Sequence, residues 1–337
     1  MKYLFYILLA ITTSFGNEAN VVVFMYHHFG ESKYPSTNTR LEQFQNHLDY
    51  LDKNNYHVWP LSKVIHYVKN KYSLPDKTVS LTIDDAYITI YKHAYPMLKE
   101  KGYPFTVFVN TNAIGEKSIQ YMSWNHMREM KTHGAEFLNH SHTHAYLVAK
   151  GEQTKEESQI QIKFELESAQ AILQKELGSG TNERPKLLSY PFGEFTQDSA
   201  TYIESLGYVG VGQISGVVGY NTDLKRVPRF AMAEKFANME SFVLKLNTVA
   251  LPLKSTAPWD TKVIQNPPKL TIELKKPIKK LGCYTSNGKR INVKWLSSTR
   301  FEVQATKPLS GPRDRYTCTA PSNNGKWYWY SHLWILD

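Results

Sequence analysis

Two short clusters of acidic and histidine side chains have the residue types and spacing of a metal-dependent hydrolase. Asp84 and Asp85 are adjacent, and His140 and His144 lie four residues apart in the segment His-Ser-His-Thr-His. Two imidazole nitrogens and one carboxylate oxygen can hold a divalent ion such as zinc and leave a position open for water. One aspartate would be the third ligand, and the other would lie beside that water as a general base. The residues alone do not say which aspartate has which role.

Collapse of the tetrahedral intermediate in such a hydrolysis also needs an acid that protonates the leaving group. After His144 the chain has one further histidine, His332, close to its C-terminus. The acid is therefore expected from the adjacent pair His27 and His28. Each cluster taken alone also fits a structural role, such as a helix N-cap, a core histidine pair or a turn.

The elements that must position these side chains follow from the pattern of apolar residues. Apolar runs typical of buried strands precede His27, Asp84 and His140, and a fourth precedes the turn Tyr190-Pro-Phe-Gly193. Strands and helices alternate over about 230 residues, which predicts a parallel sheet with crossover helices. Functional groups of such folds collect at the carboxyl ends of the strands, so the four segments are expected to meet there. One helix is predicted over Gln153–Leu177, with Ile160 and Phe164 on its buried face.

The alternation stops near Leu251, and the rest of the chain has a different character. Residues 252–267 are rich in proline and predict a linker. Residues 268–337 alternate apolar and polar side chains and contain Asn-Gly pairs, which indicates a small antiparallel β-domain. This domain has 13 Lys and Arg against 4 Asp and Glu, a net charge of +9 out of +10 for the whole chain. Its aromatic and basic side chains suit an anionic cell-surface polymer.

The N-terminus predicts export. Lys2 precedes an apolar run from Tyr3 to Phe15, which is the length of a signal-peptide core, with cleavage expected before Asn17. The alternative is an uncleaved N-terminal anchor; no other segment is apolar enough to span a membrane. The mature protein is therefore expected in the periplasm or outside the cell, which argues against nucleic acid as a partner of the basic domain. In that compartment the two cysteines, Cys283 and Cys318, are expected to form a disulfide.

Three motifs in this order resemble those of the NodB-type polysaccharide deacetylases, the family-four carbohydrate esterases. They are Leu81-Thr-Ile-Asp-Asp85, Asn139-His-Ser-His-Thr-His144 and Ser189-Tyr-Pro-Phe-Gly193. The resemblance covers roughly residues 21–250. It implies a distorted (β/α) barrel, here residues 17–251 after a signal peptide of residues 1–16, and removal of N-acetyl groups from a GlcNAc-type polysaccharide.

The resemblance also implies a role for each motif residue. Asp84 would be the base, and Asp85, His140 and His144 would bind one divalent metal ion, with zinc expected. The backbone N–H of Phe192 would be the oxyanion donor.

Two positions depart from the common family pattern. Ser189 stands where most members have an arginine that orients the base, and the last barrel strand has no acid histidine. The chain is more similar to the permuted biofilm poly-N-acetylglucosamine deacetylases, whose acid histidine belongs to a Tyr-His motif in the first strand. This similarity implies His27 as the acid.

Two other functions fit the same sequence. One is a catalytically silent protein that binds a surface polymer through its basic domain. The other is a different hydrolase on the same barrel, such as an O-deacetylase or an amidase. In the deacetylase interpretation the partner is an N-acetylated amino-sugar polymer.

Overall fold

The computed structural model describes residues 20–115, 119–178 and 185–336. The predicted signal peptide, residues 1–16, lies outside these ranges. Within them, no helix combines the length and the apolar character that a membrane crossing requires.

The N-terminal two thirds of the described chain alternate strands and helices, as the sequence predicts. The strands are β1 (Val22–Tyr26), β2 (His28–Phe29), β3 (Asn38–Thr39), β4 (His57–Val58), β5 (Thr78–Asp84), β6 (Phe105–Val109), β7 (Ala135–Asn139), β8 (Lys186–Ser189), β9 (Tyr208–Val211) and β10 (Phe230–Ala231). The helices are α1 (Leu41–Lys53), α2 (Leu61–Lys69), α3 (Tyr95–Glu100), α4 (Trp124–Lys131), α5 (Lys155–Leu177), α6 (Gln197–Ser205) and α7 (Met239–Leu246).

Eight of these strands form one parallel sheet. Its order is β10-β1-β5-β6-β7-β8-β9, with the short β4 also paired to β5. The sheet curls until its two edges approach each other, where Val211 bridges Val227. The predicted distorted barrel is therefore confirmed, and all its strands point their carboxyl ends to one mouth.

Strand β5 shows how the barrel separates its two faces. Alternate side chains of a strand point to opposite faces, and every residue of β5 is buried. The apolar set packs in the main core with the helices, whereas the polar set faces the barrel interior. The apolar residues are Val79, Leu81 and Ile83, and the polar residues are Ser80, Thr82 and Asp84.

Helix α5 buries a different face from the predicted one. Thr154 caps its N-terminus through a capping box with Glu157, and Gly178 ends it in the left-handed conformation. Ile160 and Phe164 are 71% and 57% exposed, so their predicted burial is wrong. The side chains that face the barrel recur every three or four residues on the other side of the helix: Ser158, Ile162, Glu165, Leu166, Ala169, Leu173 and Leu177.

The C-terminal region consists of antiparallel strands, with one parallel pair. They are β11 (Thr248–Ala250), β12 (Leu253–Ala257), β13 (Lys269–Leu274), β14 (Gly282–Tyr284), β15 (Arg290–Ile291), β16 (Val293–Trp295), β17 (Arg300–Gln304), β18 (Arg313–Pro321) and β19 (Trp327–Ile335). They build one sheet of order β11-β19-β18-β14-β15 and a second of order β12-β13-β17-β16. The predicted disulfide is present and joins Cys283 to Cys318 across β14 and β18.

The segment predicted as a linker, residues 252–267, is partly regular structure. Its residues Leu253–Ala257 form β12, an edge strand that pairs with β13. Just before it, β11 pairs in parallel with β19. The prediction missed β12 because a half-exposed edge strand of mostly polar residues lacks the apolar alternation of a buried one.

The C-terminal sheets pack directly on the barrel. The indole N–H of Trp329 donates to the Ser215 hydroxyl at 2.9 Å, and its ring meets that of Phe230 edge-on at 5.4 Å. Ser215 also shares a 2.6 Å hydrogen bond with Ser331 of β19. These contacts attach β19 to the barrel.

Candidate active site

The structure brings the predicted residues together at the mouth of the barrel. Asp85 directly follows β5, and His140 directly follows β7. Asp85 Oδ1 lies 3.2 Å from His140 Nε2 and 3.3 Å from His144 Nε2. The backbone of Asp85 turns sharply there, with a φ of 73°, which directs its carboxylate toward the two rings.

These three side chains have the arrangement of a metal site. One ligand atom from each lies within 4.8 Å of the other two. Atoms that bind one ion at about 2.0–2.2 Å are roughly 3–3.5 Å apart, and Asp85 Oδ1 lies at such a distance from both histidine nitrogens. Asp85 Oδ1 is buried and has no hydrogen-bond partner within the described residues, so a positive ion is the partner that fits it. Although burial raises the pKa of this carboxyl, its contacts with His140 and His144 hold the pKa well below the ordinary value.

The ring of His140 is set in the orientation that a ligand requires. Its Nδ1 lies 2.8 Å from the Ser189 carbonyl, which can only accept, so Nδ1 carries the proton. In the neutral ring the lone pair is then on Nε2, which faces Asp85. Such a bond to the second ring nitrogen is the usual way of fixing a histidine ligand.

The loop between His140 and His144 is held by a glutamate that sequence analysis missed. Glu165 of α5 is 3% exposed, and its carboxylate accepts from the backbone N–H groups of His142 and Thr143 at 2.9 and 2.8 Å. It also accepts from the Thr143 hydroxyl at 2.6 Å. The signal was present, because a glutamate on the apolar face of an amphipathic helix needs a buried partner.

The middle histidine of the segment faces away from the cluster. His142 Nδ1 lies 2.9 Å from the Thr111 hydroxyl, and its ring is edge-on to Phe164 at 6.0 Å. His142 therefore packs against Thr111 and Phe164 and is not one of the clustered side chains.

Asp84 lies beside the cluster and forms a buried ion pair. Arg229 donates from Nη1 to Oδ1 at 2.7 Å and from Nη2 to Oδ2 at 2.8 Å. The Ser189 hydroxyl donates to Oδ2 at 3.2 Å and accepts from Arg229 at 2.8 Å. Burial raises the pKa of Asp84, but the adjacent guanidinium outweighs this, so the pKa stays below its ordinary value. Asp84 is thus held ionised at the barrel mouth.

Arg229 is the second residue that sequence analysis missed. It lies just before β10 and is 1% exposed. Its remaining N–H groups donate to the Thr82 hydroxyl at 3.1 Å and the Gly212 carbonyl at 3.0 Å, so all five are used. An arginine beside an apolar strand segment indicates a buried ion pair. The sequence does not identify its partner, because Asp84 lies 145 residues away.

The adjacent residues His27 and His28, which follow β1, have different surroundings. His27 Nε2 lies 4.0 Å from Asp84 Oδ2, and its side chain is 13% exposed. Burial lowers the pKa of His27, although Asp84 and Asp85 oppose this shift. His28 stacks between Tyr34 at 4.7 Å and Tyr87 at 3.7 Å, and burial lowers its pKa to about 4. Only His27 therefore approaches the predicted base.

An aromatic wall continues from His28 along the mouth. Tyr87 stacks on His28 and also on Tyr121, at 5.1 Å. Tyr34 at the outer end is 38% exposed. The rings of His28 and Tyr87 are covered by their neighbours in this row, so the exposed ring of Tyr34 is the flat surface that suits a sugar ring.

The loop after β8 brings Phe192 to the opposite side of the site. The backbone of Phe192 has a φ of 58° and a ψ of 1°, and its ring is edge-on to His144 at 4.5 Å. Within the part of the chain that the structure describes, no acceptor is found for the Phe192 N–H. Gly193 follows at a φ of 73°, where an added Cβ would come within 2.6 Å of Gln213, so this turn requires glycine.

Comparison with known proteins agrees with the motifs. Residues 71–211 match the family model described as Polysaccharide deacetylase. A putative polysaccharide deacetylase of Bacillus subtilis, YxkH, is 25% identical over 190 residues, which are 56% of this chain and 63% of YxkH, less than two thirds of its length. A poly-beta-1,6-N-acetyl-D-glucosamine N-deacetylase of Staphylococcus aureus is 27% identical over 199 residues, 57% of this chain and 67% of that protein.

Solved structures show the same fold. The Streptococcus pyogenes deacetylase PplD in complex with acetate is 21% identical, with a TM-score of 0.60 over 68% of this chain and 99% of that one. IcaB from Ammonifex degensii is 22% identical, with a TM-score of 0.57 over 68% of this chain and 98% of that one. The family resemblance is confirmed. The family match covers Asp84, the metal cluster and Phe192, but neither His27 nor Arg229.

Substitution of the clustered ligands should lower the metal content of the protein purified in the presence of zinc. We expect this for Asp85→Asn, His140→Ala and His144→Ala, because each removes one of three ligand atoms. His142→Ala is the matched control and should retain the ion, since its ring faces Thr111. Metal content by mass spectrometry is the measurement. Loss of the ion from His142→Ala alone would show that the ligand set is wrong.

Replacement of Arg229 by methionine should strongly destabilise the fold. Methionine keeps much of the volume but leaves the buried Asp84 without its countercharge, and breaking a buried pair costs about 3–5 kcal/mol. Urea unfolding measures the loss. Arg226→Met is the control, because its partner Asp223 is 32% exposed, and it should lose much less. Equal unfolding midpoints for the two variants would contradict the importance of the buried pair.

Proposed function

We propose that the protein, whose residues 71–211 match the polysaccharide deacetylase family model, is an exported, metal-dependent hydrolase that removes N-acetyl groups from a GlcNAc-type polysaccharide. One observation carries the proposal: an ionised carboxylate, Asp84, is fixed by Arg229 beside a cluster of three metal-ligand atoms. A base next to such a cluster is the arrangement that hydrolysis by activated water requires.

The residues at the mouth divide the chemistry among them. Asp85, His140 and His144 would hold the ion, and zinc suits their two nitrogens and one oxygen. When bound, it supplies Lewis-acid polarisation of the acetyl carbonyl. Asp84 accepts the proton of the attacking water, and the Phe192 N–H, which has no acceptor of its own, donates to the developing oxyanion.

His27 then supplies the proton to the departing amine nitrogen. Its position near Asp84 supports this role, because the water that the base deprotonates and the nitrogen that the acid protonates are bonded to the same carbonyl carbon. His28, stacked between two tyrosines, supports the wall of the site instead.

The substrate class rests on the relatives and on the shape of the site. The Staphylococcus aureus relative is named for poly-beta-1,6-N-acetyl-D-glucosamine. Tyr34, exposed at the end of the row of stacked rings, provides a flat surface for an amino-sugar ring. Export is supported by the N-terminal sequence. We propose that residues 1–16 are a signal peptide, 17–251 the barrel, 252–267 the connection that includes β12, and 268–337 the basic β-domain. The net charge of +9 in the last of these supports contact with an anionic surface polymer.

Asp84→Asn should abolish most acetate release from N-acetylglucosamine oligosaccharides. Asparagine keeps the shape of the side chain but cannot accept the proton, and general base catalysis is worth about 10²- to 10⁴-fold. The measurement is acetate release per bound metal ion. Asp223→Asn is the control, because it changes an aspartate of an arginine pair away from the mouth. Near-normal turnover of Asp84→Asn would rule out its role as base, and an inactive wild type would refute the proposed function.

His27→Ala and His28→Ala should separate the acid from its neighbour. Loss of His27 should stop cleavage of N-acetyl groups, because their amine leaving group needs a proton. It should spare hydrolysis of an activated aryl acetate, because the phenolate departs without a proton. His28→Ala should mainly lower the melting temperature, because it removes a ring from between Tyr34 and Tyr87. Rates on both substrates are measured beside thermal unfolding. If His28→Ala loses N-deacetylation and His27→Ala keeps it, His28 is the acid.

A further inference from the structure

The C-terminal sheet reaches the active-site loop through one side chain. Arg313, the first residue of β18, donates from Nη1 to the carbonyl oxygen of Phe192. Its Nε lies 3.7 Å from Glu194 Oε1. Phe192 and Glu194 belong to the loop that follows β8, and Phe192 precedes Arg313 by 121 residues in the chain.

That loop holds a backbone conformation that needs outside support. Phe192 is in the left-handed region, which is sterically unfavourable for a residue with a Cβ. Such residues persist where the surroundings fix them. The bonds from Gly193 N–H to Tyr190 and from Glu194 N–H to Pro191 close the turn locally. The bond from Arg313 adds a constraint on the peptide group between Phe192 and Gly193.

Glu194 makes the same connection through charge. Its side chain is 2% exposed, so its carboxylate depends on nearby cations. Lys150 lies 3.0 Å away and Arg313 3.7 Å away. Lys150 follows the metal-ligand loop and lies over the ring of Tyr146, which stacks on Phe192 at 4.2 Å. Glu194 thus joins the metal-ligand loop, the Phe192 loop and the C-terminal sheet.

We infer that Arg313 is a positioning residue and that the C-terminal β-domain completes the active site by holding Phe192. This inference rests on the proposed function, in which the Phe192 N–H donates to the oxyanion. An N–H displaced by a fraction of an ångström donates poorly, and a shift of about 1 Å can cost 10²-fold in rate. The domain then contributes to the rate of the reaction as well as to any polymer contact.

Arg313 is not needed to keep the domain attached. The pairing of β11 with β19 and the contacts of Trp329 hold the sheets to the barrel independently. Arg313 itself is 35% exposed, so its removal leaves little buried surface unfilled. A positioning role and a structural role therefore predict different results.

The test compares Arg313→Ala, Arg313→Lys and the control Arg290→Ala in the full-length protein. Arg290 is an exposed arginine of the same sheet, in β15. For Arg313→Ala we expect kcat to fall about ten- to a hundredfold with KM nearly unchanged, and metal content and melting temperature to stay close to the wild type. In Arg313→Lys the ammonium can donate to the Phe192 carbonyl, but it cannot contact Glu194 at the same time as the planar guanidinium does. The kcat of this variant should therefore lie between those of Arg313→Ala and the wild type. Arg290→Ala should match the wild type.

Hydrogen exchange of the peptide that spans residues 188–196 gives a readout independent of activity. In Arg313→Ala these amides should exchange faster, while the rest of the barrel is unchanged. Unchanged kcat and unchanged loop exchange in an active protein would overturn the inference. A fall in melting temperature and metal content that parallels kcat would also overturn it, in favour of a purely structural role. If the wild type releases no acetate but the loop still loosens, the proposed function fails while the link from Arg313 to the loop stands.

Discussion

The buried ion pair of Arg229 and Asp84 is the interaction on which the rest of the site depends. Two charges inside a barrel are strongly disfavoured unless each finds its full set of partners. Here the guanidinium uses all five of its N–H groups, and the carboxylate receives three hydrogen bonds. Asp84 is consequently ionised and fixed in orientation. The barrel interior at β5 carries small and polar side chains because an arginine has to fit beside them.

The cluster next to this pair follows from the way the strands end. Asp84 completes the interior face of β5, so Asp85 would point outward if the strand continued. Its positive φ instead turns its carboxylate to His140 and His144. Ser189 is the last residue of β8. Its carbonyl oxygen orients His140, and its hydroxyl donates to Asp84. Ser189 therefore contacts both His140 of the candidate metal site and the carboxylate of Asp84.

The sequence was sufficient to predict the parallel barrel and the segments that meet at its mouth, because these depend on local apolar patterns and on short motifs. The sequence also predicted the disulfide, because the expected export puts its two cysteines in an oxidising compartment. It was not sufficient for Arg229 and Glu165, whose partners lie far away along the chain. Helix α5 shows a related limit: the apolar residues Ile160 and Phe164 suggested a buried face, but Glu165 lies on the true one. A polar side chain that packs inward conceals the helical period.

The two departures from the common family pattern have one physical explanation. The resemblance implies an arginine in the third motif and an acid histidine after the last barrel strand. In this chain His27 directly follows β1, and Arg229 directly precedes β10. These two strands are neighbours in the sheet, with Phe24 paired to Phe230. A histidine on β1 therefore enters the same mouth as one on β10 would, and it leaves the last strand free to carry the arginine. Arg229 then pairs with Asp84 from β10 instead of from the third motif. The third motif therefore needs no arginine, and the small Ser189 at that position adds one hydrogen bond to Asp84.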